Sequence, residues 1–107
     1  MIQDPENLIE KILNNVSKET ILSGRCGIEK ETLRVNKNCI STLTHPEALG
    51  SSLCNSYITT DFSESLLEFI TPPFTNPIST VNFLDAIHHF VHDNLDNELL
   101  WPFSMPP

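Results

Sequence analysis

Glycine is scarce, with three in 107 residues, at positions 24, 27 and 50. Neither a P-loop nor a GxGxxG fingerprint can be assembled from them, so no glycine-rich cradle for phosphates exists. Positive charge is scarce too: six lysines and arginines stand against 14 acidic residues, a formal net charge of −8. Such a chain repels phosphate backbones and anionic lipid, which argues against nucleic-acid and membrane-surface roles. No apolar run approaches the ~20 residues that span a bilayer. Residues 1–11 are acidic and interrupted by Pro5, the wrong pattern for a signal peptide. The three cysteines, Cys26, Cys39 and Cys54, form no CxxC pair, which excludes a zinc ribbon and a thioredoxin motif. Free thiols in a reducing cytoplasm are expected. The serines lack a GxSxG context, so a serine hydrolase is unsupported.

What is present suits a single small soluble domain. Hydrophobic residues make up 39% and charged residues 19%, a globular balance with a modest core. Asp4-Pro5-Glu6 reads as a helix start. Leu8, Ile9, Ile12, Leu13 and Val16 then recur at helical spacing to about residue 17. Alternation over residues 28–35 (IEKETLRV) predicts a strand, and Asn36-Lys37-Asn38 a turn. A helical turn over residues 45–49 closes at Gly50. Residues 57–60 are rich in β-formers, and residues 66–71 (LLEFIT) form a second clear strand stopped by Pro72-Pro73. Asn76-Pro77 opens another helix, with Val81, Leu84, Ile87, Val91 and Leu95 on one face. Trp101, Pro102, Phe103 and Met105 make an apolar exit segment that is expected to lead into further structure.

Two strands carry acidic residues where chemistry is possible. Glu29 and Glu31 share a strand face, about 6.6 Å apart at ~3.3 Å rise per residue. Leu33 and Val35 continue that face, while Lys30, Thr32 and Arg34 point the other way. Glu68 interrupts the apolar run Leu66-Leu67-Glu68-Phe69-Ile70. An ionised carboxylate in such surroundings needs a partner, and either a salt bridge or a cation fills that need. Asp61 and Glu64 sit in the loop leading into the same strand. Carboxylates from neighbouring strands suit magnesium, which takes oxygen ligands and pairs with substrate phosphates. An exposed acidic strand meeting only water is the plainer alternative.

Other signals are weaker. His88 and His92 stand one turn apart, but HHFVH lacks the glutamate of HExxH. Asp85 is placed to pair with His89. Lys30 and Arg34 suit a phosphate or carboxylate, although a solvated face is the simpler expectation for both. Arg25 beside Cys26 is a thin basis for a reactive thiol.

Four blocks of letters go further. Gly27-Ile28-Glu29-Lys30-Glu31-Thr32-Leu33-Arg34-Val35 and His45-Pro46-Glu47-Ala48-Leu49-Gly50-Ser51 come first. Ile58-Thr59-Thr60-Asp61-Phe62-Ser63-Glu64 with Leu66-Leu67-Glu68-Phe69-Ile70-Thr71-Pro72 follows, then Asn97-Glu98-Leu99-Leu100-Trp101-Pro102-Phe103-Ser104-Met105-Pro106. In this order they resemble the start of the proteobacterial glutamate–cysteine ligases. The resemblance implies ATP- and magnesium-dependent joining of L-glutamate, through its γ-carboxylate, to the amine of L-cysteine, the first step of glutathione synthesis. It implies an α+β fold similar to glutamine synthetase, in which a curved antiparallel sheet with flanking helices forms a bowl for ATP, metal and substrates. Its metal ligands fall on Glu29, Glu31, Asp61 and Glu68, and an aromatic near its cysteine pocket falls on Phe62.

Members of that family run to roughly five hundred residues, several times this chain's core. Residues 1–107 are therefore expected to be the N-terminal portion of one larger catalytic domain, inactive alone. The cationic groups that hold ATP and substrate carboxylates are expected elsewhere. Pro107 stands where relatives are expected to carry a cysteine. The missing portion, or self-association through an open sheet edge, is the expected partner. A non-catalytic truncated product, or a small acidic domain that binds a cation or a partner, is the rival reading.

Overall fold

Asp4 and Pro5 open a helix as expected. In helix α1 (Pro5–Asn15) the Asp4 carboxylate accepts from the Glu6 amide at 3.2 Å, and the proline takes the first turn. The structure is a computed structural model that describes residues 4–37 and 39–107; Asn38 of the expected turn lies outside the described residues. The helix stops short of residue 17 because Ser17 caps a second helix, α2 (Lys18–Leu22), its hydroxyl accepting from the Thr20 amide at 3.2 Å. The apolar stripe of α1 covers nothing. Leu8, Ile9, Ile12 and Leu13 are 43–66% exposed, and neither helix buries a residue. The chain is correspondingly elongated, 56 Å in its longest dimension with a radius of gyration of 19.0 Å. A compact chain of this length would have about 13 Å.

Among the described residues five strands follow: β1 (Glu29–Asn36), β2 (Cys39–Ile40), β3 (Ile58–Thr60), β4 (Leu66–Ile70) and β5 (Leu99–Leu100). All their pairings are antiparallel. β1 is the hub. Its first half pairs with β4, in the register Glu29↔Ile70, Glu31↔Glu68 and Leu33↔Leu66. Its second half pairs with β2 and β5. β3 pairs with β4, setting Ile58 against Phe69 and Thr59 against Glu68. Before β1 the chain passes close to the end of β4, where a Cβ on Gly27 would lie 3.1 Å from the Thr71 carbonyl oxygen. Glycine fits there because it has no Cβ. Gly50, at φ 79, closes the short 3-10 turn Glu47–Leu49 as expected.

Helix α3 (Pro77–Asp93) starts where Asn76-Pro77 predicts, with the Asn76 side chain accepting from the Ile78 amide at 2.9 Å. Ile87 and Val91, with Leu95 just beyond the helix, pack on Ile58, Leu67 and Phe69 of the sheet, and Leu49 completes the core. Val81 does not join them and is 56% exposed. Thr80 is buried instead, its hydroxyl donating to the Cys26 carbonyl at 3.2 Å.

α3 covers one face of β3 and β4. By the alternation of a strand, Glu68 and its cross-strand neighbours Glu31 and Thr59 therefore face the other way. Among the described residues, no helix is long and apolar enough to cross a membrane.

The core sets the stability. Leu67 and Phe69 are fully buried at its centre. Leu67→Ala is expected to cost about 3 kcal/mol through lost transfer energy and a residual cavity. Leu13→Ala on the uncovered stripe of α1 is expected to stay within about 0.5 kcal/mol of wild type. Thermal or urea melts of the two variants measure the contrast, and equal costs would contradict this placement of the core.

Candidate functional site

β1 and β4 bring the expected carboxylates together on the face away from α3. Glu31 and Glu68 are direct cross-strand partners, which sets their Cβ atoms about 5 Å apart. Glu29 lies on the same face of β1, two residues before Glu31. Asp61 follows β3 immediately, and its amide donates to the Leu66 carbonyl at 3.1 Å, which places it at the mouth of the β3–β4 turn. Glu29, Glu31 and Asp61 are exposed and Glu68 is half-buried. Glu31 also borders a cleft of about 340 Å³ shared with Leu33, Leu66 and Trp101.

Glu68 feels the other three acids. Burial raises the Glu68 carboxyl above its ordinary value of 4.5, and the charges of Glu29, Asp61 and Glu31 raise it further. Like charges set directly opposite on a sheet are destabilising, so this face holds uncompensated negative charge. Among the described residues, the one ion pair to a lysine or arginine is Arg34–Glu98. Among them Glu68 therefore has no salt bridge of the kind that competes with a cation. The donor set, all carboxylate oxygen, fits a hard divalent ion. As the side chains stand, no three histidine, cysteine or acidic groups among the described residues converge on one point. The acids share a face without enclosing a site. Phe62, next to Asp61, projects from the turn and is 83% exposed.

The opposite face of β1 corrects the sequence reading. Lys30 and Arg34 do not form a solvated face. Lys30 is half-buried, its ammonium 2.8 Å from His88 Nε2 of α3. Arg34 is completely buried, and Thr32 nearly so. Arg34 Nη1 donates to both carboxylate oxygens of Glu98, at 3.0 and 2.7 Å. Its Nη2 donates to the carbonyls of Leu43 and Glu64, at 2.7 and 2.8 Å. The local pattern gave no sign of this pair, because Glu98 lies 64 positions further on and reaches β1 through β5. The one available signal is arithmetic: an acidic residue beside the apolar Leu99-Leu100 needs a cation, and few are present.

His45 and His88 are half-buried, while His89 and His92 are exposed. His88 packs edge-on against Phe69, with ring centroids 4.9 Å apart. Burial lowers its pKa, and the Lys30 charge lowers it further. His45 is lowered by burial as well. His89 and Asp85 pair as expected, at 3.5 Å. The Asp85 carbonyl, then its carboxylate, raises the His89 pKa.

The sign for His88 follows from proton counting. With a folded pKa below 6.5, the unfolded chain binds more protons between that value and 6.5. His88 thus contributes stability at neutral pH that is lost as the pH falls below 6.5. Melts at pH 7.5 and 5.5 are expected to show a drop that shrinks in His88→Gln. An identical drop in the variant would remove His88 as its source.

An α+β assembly with an antiparallel sheet, one face under a helix and the other lined with acids, defines the class. Comparison supplies the family. Residues 9–107 match the glutamate–cysteine ligase family. Over 102 residues the chain is 45% identical to a glutamate–cysteine ligase of Alcanivorax borkumensis, covering 94% of this chain and 19% of that protein. It is 56% identical to one of Pseudomonas fluorescens over 81 residues, covering 75% and 15%. A glutamate–cysteine ligase of Francisella tularensis, solved in complex with AMP, superposes with a TM-score of 0.71 at 41% identity, covering 73% of this chain and 16% of that one. A bifunctional glutathione synthetase of Pasteurella multocida gives 0.76 at 41% identity, covering 79% and 12%. The chain belongs to the glutamate–cysteine ligase family, and it spans less than a fifth of the length of these relatives.

Proposed function

We propose that this chain forms the N-terminal, acidic wall of a glutamate–cysteine ligase active site in the cytoplasm. The reaction is ATP-dependent ligation of the γ-carboxylate of L-glutamate to the amine of L-cysteine. The observation that carries the reading is the shared face of Glu29, Glu31, Asp61 and Glu68, with Glu31 and Glu68 paired across strands and no ion pair to Glu68 among the described residues. A ligase of this kind must bring two anions together, the γ-carboxylate and the terminal phosphate of ATP, before the amine displaces phosphate from the acyl phosphate. Magnesium, when bound, supplies the positive charge that makes this approach possible. Glu29, Glu31, Asp61 and Glu68 would hold it. Phe62, exposed beside Asp61 in the same turn, would offer its ring to a small amino-acid substrate.

The chain covers 19% of the Alcanivorax borkumensis relative, and the rest of such a domain would come from outside these 107 residues. The uncovered stripe of α1 and the three-residue edge strand β3 suit packing against that remainder, or against a second copy. The test is γ-glutamylcysteine formation by the purified chain with magnesium, ATP, glutamate and cysteine, alone and with the C-terminal portion of a relative added. Silence alone and product in the mixture is expected. Product from the chain alone would overturn the claim that it is incomplete. A mixture that associates yet stays silent would overturn the assignment of the acidic wall.

A further inference from the structure

The turn between β3 and β4 carries Asp61 and Phe62, and the backbone carbonyls at its far end are held by Arg34, one through its guanidinium and one through its amide. Within the turn, the Asp61 amide donates to the Leu66 carbonyl and the Leu66 amide to the Ser63 carbonyl, both at 3.1 Å. The next two carbonyls, of Glu64 and Ser65, both face Arg34. Nη2 donates to the Glu64 carbonyl at 2.8 Å and the backbone amide to the Ser65 carbonyl at 2.7 Å. The same Nη2 donates to the Leu43 carbonyl at 2.7 Å, and the His45 amide donates to the Glu64 carboxylate at 3.2 Å. Two loops distant in sequence thus meet on one guanidinium.

The geometry points to Arg34 and Glu98 as positioning residues for Asp61 and Phe62, an inference that rests on the ligase reading above. A planar guanidinium presents its donors in a fixed fork, so pinning Nη1 on Glu98 also fixes where Nη2 points. Glu98 aims the fork, and the fork places the turn. Stability alone does not require this arrangement. A buried ion pair is commonly replaced by apolar residues of similar volume without loss.

The decisive variant is therefore Arg34→Met with Glu98→Leu, which removes both charges and keeps the volume. Two readouts are taken on the full 107-residue chain: NMR hydrogen exchange, and affinity for Mn2+ by electron paramagnetic resonance, with Glu68→Gln alongside. The double variant is expected to melt cooperatively with its Phe69 amide exchanging as in wild type. Its Asp61 and Leu66 amides are expected to exchange at least tenfold faster, and Mn2+ affinity to fall at least tenfold. A folded double variant whose turn amides keep their wild-type rates would overturn the proposal and leave the pair purely structural. Should the double variant fail to fold, Arg34→Lys decides instead. It keeps the charge beside Glu98 but loses the fork, so its turn amides must also exchange faster, and unchanged rates there would overturn the proposal. Wild type that binds no Mn2+ would defeat the metal reading, while the exchange rates would still decide whether Arg34 places the turn.

Discussion

Glutamine at position 68 is expected to abolish divalent-cation binding while making the cation-free chain more stable. The two effects have one cause. Glu68 is half-buried, and both its burial and the charges of Glu29, Asp61 and Glu31 raise its pKa above 4.5. The folded chain therefore binds more protons than the unfolded one from 4.5 up to the raised value, and stability falls as the pH rises through that window. Above it the full cost of an ionised, crowded Glu68 is present. A bound cation reverses this cost. It stabilises the folded wild type in proportion to RT ln(1 + [L]/Kd). Glu68→Gln removes both the repulsion and the negative ligand.

Thermal melts at pH 7 with and without magnesium test this directly. Wild type is expected to melt lower without the ion and to rise with it; the variant starts higher and does not respond. In a complete ligase containing these residues, the same change is expected to lower kcat by on the order of 10²–10³, since an active-site metal contributes several kcal/mol of charge stabilisation. A variant that gains as much from magnesium as wild type does would remove Glu68 from the ligand set.

The acidic face was legible in the letters because strand alternation is a local property. Glu29 and Glu31 two residues apart, and Glu68 inside an apolar strand, declare themselves without a partner in view. Their meeting across one ladder was not legible from spacing: it depends on the register that sets Glu31 opposite Glu68. The helix starts at Asp4 and Asn76 were readable for the same local reason, since a cap and a following proline need only neighbours. What misled was the assumption that charged residues face water. In β1 the alternation is real, but Arg34 lies on the buried side, and nothing within residues 28–35 says so. The stripe of α1 shows the converse. Its periodicity predicts a helix correctly, yet the same periodicity cannot supply a surface for that helix to cover, and here it covers none.

Glu98→Ala is expected to be among the most damaging single changes in the chain. It leaves the Arg34 guanidinium, fully buried, without its counter-charge and with one nitrogen stripped of both acceptors. Nε of Arg34 already lacks a hydrogen-bond partner, so little else can absorb the loss. Removing one member of a buried ion pair costs about 3–5 kcal/mol, a large part of the 5–15 kcal/mol typical of a whole domain. A fall in Tm of at least about 10 °C is expected. Glu98→Gln keeps an acceptor for Nη1 and loses only the charge, so it should fall between wild type and alanine. The pair with Arg34→Met should behave differently again. Once the cation is gone the buried carboxylate is the liability, and Glu98→Leu in that background is expected to raise stability rather than lower it. A double-mutant cycle measures that change of sign. Additive losses would mean that Arg34 and Glu98 stabilise the fold through separate contacts, and that the 2.7 Å bond between them is incidental to it.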